Sequence, residues 1–88
     1  MPKRKPRSNI HIDFGLAIKT HRELLDMTQE ELAAKAGLHR SYIGDIERGK
    51  RNLALGNIAK LTQALGISVP AFFSKYQIGE GGPDADRG

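Results

Sequence analysis

The chain has 88 residues, a formal net charge of +4 at neutral pH and no cysteine. This length suits one domain, and the absence of cysteine excludes disulfides and cysteine-based zinc sites. The sequence contains neither the ~20-residue apolar run of a membrane-spanning helix nor the apolar stretch of a secretory signal. We therefore expect a cytoplasmic protein without a membrane partner.

The two ends of the sequence lack the apolar residues that a folded core requires. Residues 1–9 carry four cations and two prolines, and residues 79–88 are rich in glycine and aspartate. Such compositions do not form packed elements. We expect a flexible basic arm over 1–9, one folded domain over 10–78 and a disordered tail over 79–88.

Between these ends, apolar residues recur with the period of an α-helix. The pattern predicts helix 1 from about Asp13 to Leu25, with its end at Asp26, a residue type that tolerates the left-handed backbone common there. His21 falls on the apolar face of this helix. Its ring weakens the core unless it finds a polar partner.

Helix 2 has the clearest start, because residues 28–31 read TQEE and form a capping box. In this motif the Thr28 hydroxyl accepts from the amide of Glu31, and the Glu31 carboxylate reaches back. The helix is expected to end at Gly37. Helix 3 follows from about His39 to Glu47 and stops at Gly49, since glycine supplies the positive φ of a helix end.

Helix 4 is predicted from about Leu55 to Leu65, with Gly66 as its stop, and helix 5 starts at Ser68. Five short helices with tight links make an all-α bundle. Helix 5 carries more apolar side chains than one small bundle needs, so at least one of them is expected at a two-fold homodimer interface. The candidates are Val69, Phe72, Phe73 and Tyr76.

The spacing within residues 29–48 indicates a helix-turn-helix. Ala33 is small where the two helices press closest, and Gly37 makes the turn four residues later. Ile43 and Ile46 anchor the following helix from below. This arrangement holds the two helices at a steep angle and leaves the outer face of the second one available to the major groove of DNA.

The segment MTQEELAAKAGLHRSYIGDIERGKRN, residues 27–52, resembles the phage repressor and Cro type of regulator, the XRE-type family, over about Phe14 to Phe73. Its part LHRSYIGDIERGKRNL is most similar to controller proteins of restriction–modification systems. The resemblance implies a five-helix, lambda-repressor-like bundle with the helix-turn-helix in helices 2 and 3. It also implies a transcriptional repressor or autoregulator that binds a pseudo-palindromic operator as a homodimer through a recognition helix at about 39–47.

By position, the resemblance assigns base contacts to the recognition helix and the residues after it. Arg40 can fork onto O6 and N7 of a guanine. Gly44 costs the helix about 1 kcal/mol relative to alanine, which suggests a close approach to DNA or to a partner helix. Asp45 can accept from cytosine, repel a wrong phosphate register or pair with Arg48. The expected base contacts are Arg40, Ser41, Gly44, Asp45 and Arg51.

Phosphate contacts are expected beside the groove, for example at Gln29, where the free amides of a helix start favour an anion. They position the protein, whereas base contacts give specificity. The set is Thr28, Gln29, Tyr42, Arg48, Lys50 and Asn52. The arm either follows phosphates and the minor groove or is a tail without function; its cations are Lys3, Arg4, Lys5 and Arg7.

Two further positions bear on stability. Arg22 and Glu47 match a pair that forms an internal salt bridge in the family, where it ties helix 1 to the end of helix 3. Ala54 stands where the family usually places Ser or Thr as the N-cap of helix 4. That helix start is therefore expected to shift or to use Asn52 as its cap.

Other functions were weighed on the same residues. An antitoxin-like DNA-binding protein that holds a small protein partner is one alternative, and a module that binds protein or RNA is another. No enzyme is expected, because Glu30 and Glu31 belong to a helix start and no catalytic triad or phosphate loop is visible. The spacing of His11, His21 and His39 puts no two on adjacent turns of one helix, so neither a metal nor a cofactor is expected.

Overall fold

A computed structural model describes residues 9–80 of the chain. Within this range the chain forms five α-helices and no strand: α1 (Ile10–Leu24), α2 (Gln29–Ala36), α3 (Arg40–Glu47), α4 (Leu55–Ala64) and α5 (Val69–Lys75). The prediction of an all-α, five-helix bundle is confirmed. The predicted arm contacts at Lys3, Arg4, Lys5 and Arg7 lie outside the described residues.

Helix α1 begins at Ile10 rather than at the predicted Asp13. Asn9 is its N-cap, and the side-chain oxygen of Asn9 accepts from the amide of His11 at 2.9 Å. The prediction followed the core-facing apolar residues, whereas Ile10 lies exposed on the first turn. The start of α1 is therefore set by a cap and not by burial.

The five described helices end in the same way, with a residue in the left-handed region just beyond each of them. In each case the following amide donates to a carbonyl five residues earlier, as from Lys50 to Asp45 at 2.9 Å. This is the Schellman motif. The predicted stops are confirmed, and a fifth, at Gln77, was not predicted; the residues have φ of 53–76° and are Asp26, Gly37, Gly49, Gly66 and Gln77.

The core takes apolar side chains from all five helices and from the segment after α5. The Phe14 ring of α1 meets the Phe72 ring of α5 edge to face, with centroids 5.6 Å apart. Such aromatic pairs stabilise a core beyond the area that they bury. The buried set is Phe14, Ala17, Ile18, Leu32, Ala33, Ala36, Ile43, Ile46, Leu61, Leu65, Phe72 and Ile78.

Helix α1 crosses α3 at Gly15. A Cβ atom at this position would overlap the carbonyl oxygen of Ile46 and lie 3.0 Å from that of Glu47. Only glycine permits this approach, because the neighbouring atoms are backbone and cannot rotate away. The crossing fixes the C-terminal half of α3 against α1, so the opposite side of α3 faces outward.

The start of α4 differs from both options that the sequence offered. The helix begins at Leu55 as predicted, with Ala54 as its N-cap, and no side chain of the described residues caps it. Asn52 therefore does not take over the cap. Leu53 packs partly buried against the core in the loop that precedes the helix.

Candidate nucleic-acid interface

The helix-turn-helix is built from the contacts that the sequence motif requires. The Thr28 hydroxyl accepts from the Glu31 amide at 3.0 Å, and the Glu31 carboxylate accepts from the Thr28 amide at 2.8 Å. Ala33 is buried between the helices. Gly37 follows α2 with a φ of 71°. The capped start and the glycine turn together orient α3 against α2.

The outer side of α3 and the loop after it carry most of the predicted contact residues. Ile43 and Ile46 are buried beneath the helix, whereas Arg40 and Ser41 are exposed on its first turn. The cations that follow the helix are exposed as well. We call the side chains of this region the recognition surface; they are Arg40, Ser41, Tyr42, Asp45, Arg48, Lys50, Arg51 and Asn52.

Gly44, predicted to contact a base, is buried under a neighbouring side chain. A Cβ atom at Gly44 would lie 3.4 Å from Nη1 of Arg48 and 3.6 Å from Nη2. The close approach predicted for DNA or a partner helix is thus made by the Arg48 guanidinium in this structure. The Arg48 side chain itself is 59% exposed.

Asp45 carries two arginines, one on each carboxylate oxygen. Nη2 of Arg48 donates to Oδ1 at 2.8 Å, and Nε of Arg51 donates to Oδ2 at 3.2 Å. Desolvation pushes the pKa of the Asp45 carboxyl up, and these two hydrogen bonds outweigh it and hold that pKa below its ordinary value. Of the three roles considered for Asp45, the structure contains the ion pair with Arg48. A base contact would share these oxygens with the two arginines, since a carboxylate can accept more than two hydrogen bonds.

The two arginines predicted to read bases are each held through Nε. Nε of Arg40 lies 3.0 Å from a carboxylate oxygen of Glu30 on α2, and both side chains are largely exposed. The Arg51 guanidinium also lies 5.1 Å from the centre of the Tyr42 ring, within the range of a cation–π contact. Tyr42 is fixed in turn, because its hydroxyl accepts from the Asn57 amide at 3.0 Å. Sequence reasoning missed Asn57, which has no motif around it.

Beneath this surface, Arg22 and Glu47 form the buried pair expected from the sequence. Nε of Arg22 donates to Oε2 of Glu47 at 2.7 Å and Nη2 donates to Oε1 at 3.1 Å. The hydrogen bond to Glu47 raises the pKa of Arg22. Nη1 of Arg22 also donates to the Met27 carbonyl at 2.7 Å. The pair therefore joins α1, the turn before α2 and the end of α3.

Gln29 belongs to this buried pair rather than to the outer surface. Its side-chain amide donates to Oε1 of Glu47 at 2.9 Å. The sequence assigned Gln29 to a phosphate, and in this structure its amide nitrogen is bonded inside the protein. This bond uses one of the two hydrogens of that nitrogen, so the other hydrogen and the backbone amide of the helix start suit a phosphate at this position.

The four interface candidates on and just after α5 differ in how deeply they are buried. Phe72 is fully buried in the core of the single chain and is therefore no longer an interface candidate. Val69, Phe73 and Tyr76 are half-buried. The Tyr76 hydroxyl lies 2.6 Å from Nδ1 of His21, which is the polar partner that His21 requires. Burial, followed by the charge of Lys75, lowers the pKa of His21.

Over residues 9–80, the structure has no group of three side chains suited to a metal ion. The same residues include no helix long and apolar enough to cross a membrane.

The first helix of this pair has a capped start, a glycine makes the turn, and exposed arginines stand on the first turn of the second helix and just after its end. These features define a helix-turn-helix DNA-binding protein. A family model described as Helix-turn-helix matches residues 18–72. The chain therefore belongs to the XRE-type helix-turn-helix family of DNA-binding transcriptional regulators, as its sequence led us to expect.

Within this family, the chain is similar to several individual control proteins. It is 48% identical over 61 residues to the control protein C.BamHI of Bacillus amyloliquefaciens, a match that covers 68% of this chain and 75% of the relative. The restriction–modification controller protein C.AhdI from Aeromonas hydrophila superposes with a TM-score of 0.69 at 43% identity, over 72% of this chain and 96% of that one. The restriction–modification controller protein C.Esp1396I, in a structure of its tetramer in complex with its natural 35 base-pair operator, superposes with a TM-score of 0.75 at 36% identity. This match covers 80% of this chain and 92% of that one.

Proposed function

We propose that this chain is a controller protein of the restriction–modification type, which binds a pseudo-palindromic operator as a homodimer and regulates transcription. The observation that carries the proposal is the recognition surface, in which Arg40 on α3 and the arginines just after this helix are exposed, while the other side of the helix is fixed in the core. Duplex DNA is the partner, the cytoplasm is the compartment, and neither catalysis nor a cofactor is part of the proposal.

Base reading starts at Arg40, whose partner in the free protein is weak. In the free protein Arg40 pairs with Glu30, and both side chains are more than half exposed. Such surface pairs are worth only about 0–1 kcal/mol. A bidentate contact with O6 and N7 of guanine discriminates by about 1–3 kcal/mol. The pair with Glu30 uses Nε of Arg40, so the two terminal nitrogens that would meet the guanine edge are not the atoms that Glu30 holds when α3 enters the major groove.

The loop after α3 supplies the contacts with the DNA backbone. Lys50 and Asn52 lie exposed in the loop after α3, where they are placed to contact phosphates on either side of the bases that α3 reads. These contacts fix the register of the protein without selecting a sequence. We assign base reading to Arg40, Ser41 and Arg51 and phosphate contact to Lys50, Asn52 and the start of α2.

The homodimer follows from the symmetry of such operators and from half-buried apolar residues on and just after α5. Val69, Phe73 and Tyr76 are the candidate interface residues. The tetramer of C.Esp1396I on its operator supports an oligomer for this chain also. A two-fold dimer of this geometry places its half-sites about one helical turn, ~34 Å, apart.

The test is selection from random DNA duplexes with the full-length protein, combined with sedimentation of the protein alone. We expect one motif with two-fold symmetry and half-sites about 10 base pairs apart, and a sedimenting dimer. A correctly folded protein that enriches no motif would contradict the proposal. No specific observation favours the alternatives, an antitoxin-like protein or a module for protein or RNA.

A further inference from the structure

A carboxylate in the middle of a DNA-binding surface requires an explanation. Asp45 lies among cations that the proposed function directs at DNA, and its own negative charge is repelled by every phosphate nearby. Its side chain is not an N-cap, because Asp45 stands in the last turn of α3. The physical reason for its presence must be sought in what its side chain binds.

The side chain of Asp45 fixes the position of Arg51. Asp45 accepts from Nε of Arg51 at 3.2 Å, and on another side the Tyr42 ring lies 5.1 Å from the same guanidinium. Asn57 holds Tyr42 through its hydroxyl. The bond with Asp45 uses Nε, so the two terminal nitrogens, which form the fork that fits a guanine edge, are not the atoms that Asp45 holds.

The backbone of Asp45 fixes the same loop from below. Its carbonyl accepts from the amide of Lys50 at 2.9 Å and closes the Schellman motif around Gly49, whose φ is 73°. One residue thus sets both the path of the chain that leads to Arg51 and the direction of the Arg51 side chain.

The second arginine has a different consequence. Nη2 of Arg48 lies 2.8 Å from the other oxygen of Asp45, and its side chain folds over Gly44. A cation held by a carboxylate contributes less to the attraction of any phosphate backbone. That attraction carries no sequence information and supplies essentially all of non-specific binding. Asp45 therefore reduces the part of the charge that random DNA would use.

We propose that Asp45 is a positioning residue that makes binding sequence-selective: it orients Arg51 toward a base and withholds Arg48 and Arg51 from the phosphates of random DNA. This inference rests on the proposed function, because selectivity has meaning only for a protein that reads DNA.

The test compares Asp45→Asn with the parent chain on the selected operator and on a random duplex of equal length, by fluorescence anisotropy over a range of salt concentrations. We expect tighter binding to the random duplex. The slope of the logarithm of affinity against the logarithm of salt concentration should be steeper by about 1–2, for one or two additional phosphate contacts. The ratio of operator to random affinity should fall about tenfold, the size of one base contact.

The matched control is Glu23→Gln, which changes the net charge equally at an exposed carboxylate of α1. A second control is Asp45→Asn in an Arg51→Ala background. If Asp45 acts through Arg51, the preference at the base that Arg51 reads is already lost there, and removing the carboxylate changes it no further. Far-ultraviolet circular dichroism of each variant establishes that it is folded.

Two results would overturn the inference. One is a ratio of operator to random affinity for Asp45→Asn equal to that of the parent chain. The other is a fall in this ratio no larger than the fall caused by Glu23→Gln. A parent chain that selects no sequence at all would instead remove the proposed function and this inference with it. A selective parent with an equally selective Asp45→Asn variant leaves the proposed function standing alone.

Discussion

Two carboxylates on α3 bind arginines in opposite environments. Glu47 has a side chain that is 4% exposed, and it takes a bidentate contact from Arg22 together with the Gln29 amide. Asp45 is 30% exposed and takes one contact each from two exposed arginines. Two residues along a helix correspond to about 200° of rotation, so one carboxylate faces the core and the other faces the solvent.

The difference indicates that the same chemical pair stabilises the fold on one side of the helix and, in the proposed function, positions DNA-binding side chains on the other. Breaking a buried ion pair leaves a charge without compensation and costs about 3–5 kcal/mol. Breaking an exposed one costs about 0–1 kcal/mol, because water replaces the partner. Substitutions on either side of α3 test this difference.

The largest expected effect is on the core-facing side of α3. Glu47→Gln should lower the free energy of unfolding by about 3–5 kcal/mol, because the Arg22 charge stays in the protein without its counter-ion. Chemical denaturation followed by circular dichroism measures the loss. Asp45→Asn is the matched control and should change the same quantity by less than about 1 kcal/mol. Equal losses for the two variants would abolish the distinction between them.

The helix crossing beside Glu47 gives the next largest effect. Gly15→Ala should destabilise the protein by about 3 kcal/mol, since a methyl group would push the backbone of α1 away from the Ile46 carbonyl. Gly56→Ala in α4 is the control, because nothing lies within 4 Å of a Cβ there. That change should be neutral or stabilise by up to about 1 kcal/mol. A tolerated alanine at Gly15 would show that α1 and α3 are not in backbone contact.

The smallest effect concerns the half-buried pair of His21 and Tyr76. Burial, together with Lys75, lowers the pKa of His21 below the ordinary 6.5 of the unfolded chain. The unfolded chain therefore binds more protons as the pH falls, and stability is lost from pH 6.5 downward through the native pKa. Unfolding curves between pH 8 and 5 should show this decline, and His21→Phe should flatten it. An unchanged pH dependence in His21→Phe would assign the decline to other groups.

Much of the fold was readable from the sequence because helix ends carry local signals. The capping box at Thr28 and the stops at Asp26, Gly37 and Gly66 depend on residue types within one turn. The pair of Arg22 and Glu47 was found differently, through the resemblance to a family. Neither kind of signal required knowledge of how the helices cross.

What the sequence did not reveal depends on contacts between distant residues. Gly15 looks like an ordinary helix glycine until α3 is placed against it, and Gly44 gives no sign that Arg48 covers it. Gln29 sits at a helix start that suits a phosphate, but its amide meets Glu47, which is 18 residues away in the chain. Phe72 could not be separated from Phe73 by pattern, since only packing shows which ring is inside.

The most direct measurement is a table of affinities for Arg40→Ala and Lys50→Ala against the selected operator and its single-base variants. Arg40→Ala should remove about 1–3 kcal/mol of base preference at one position of each half-site. Lys50→Ala should weaken binding to every sequence equally and reduce the slope of log affinity against log salt concentration by about 1. If Arg40→Ala instead weakened all sequences by the same factor, the outer face of α3 would not be reading bases.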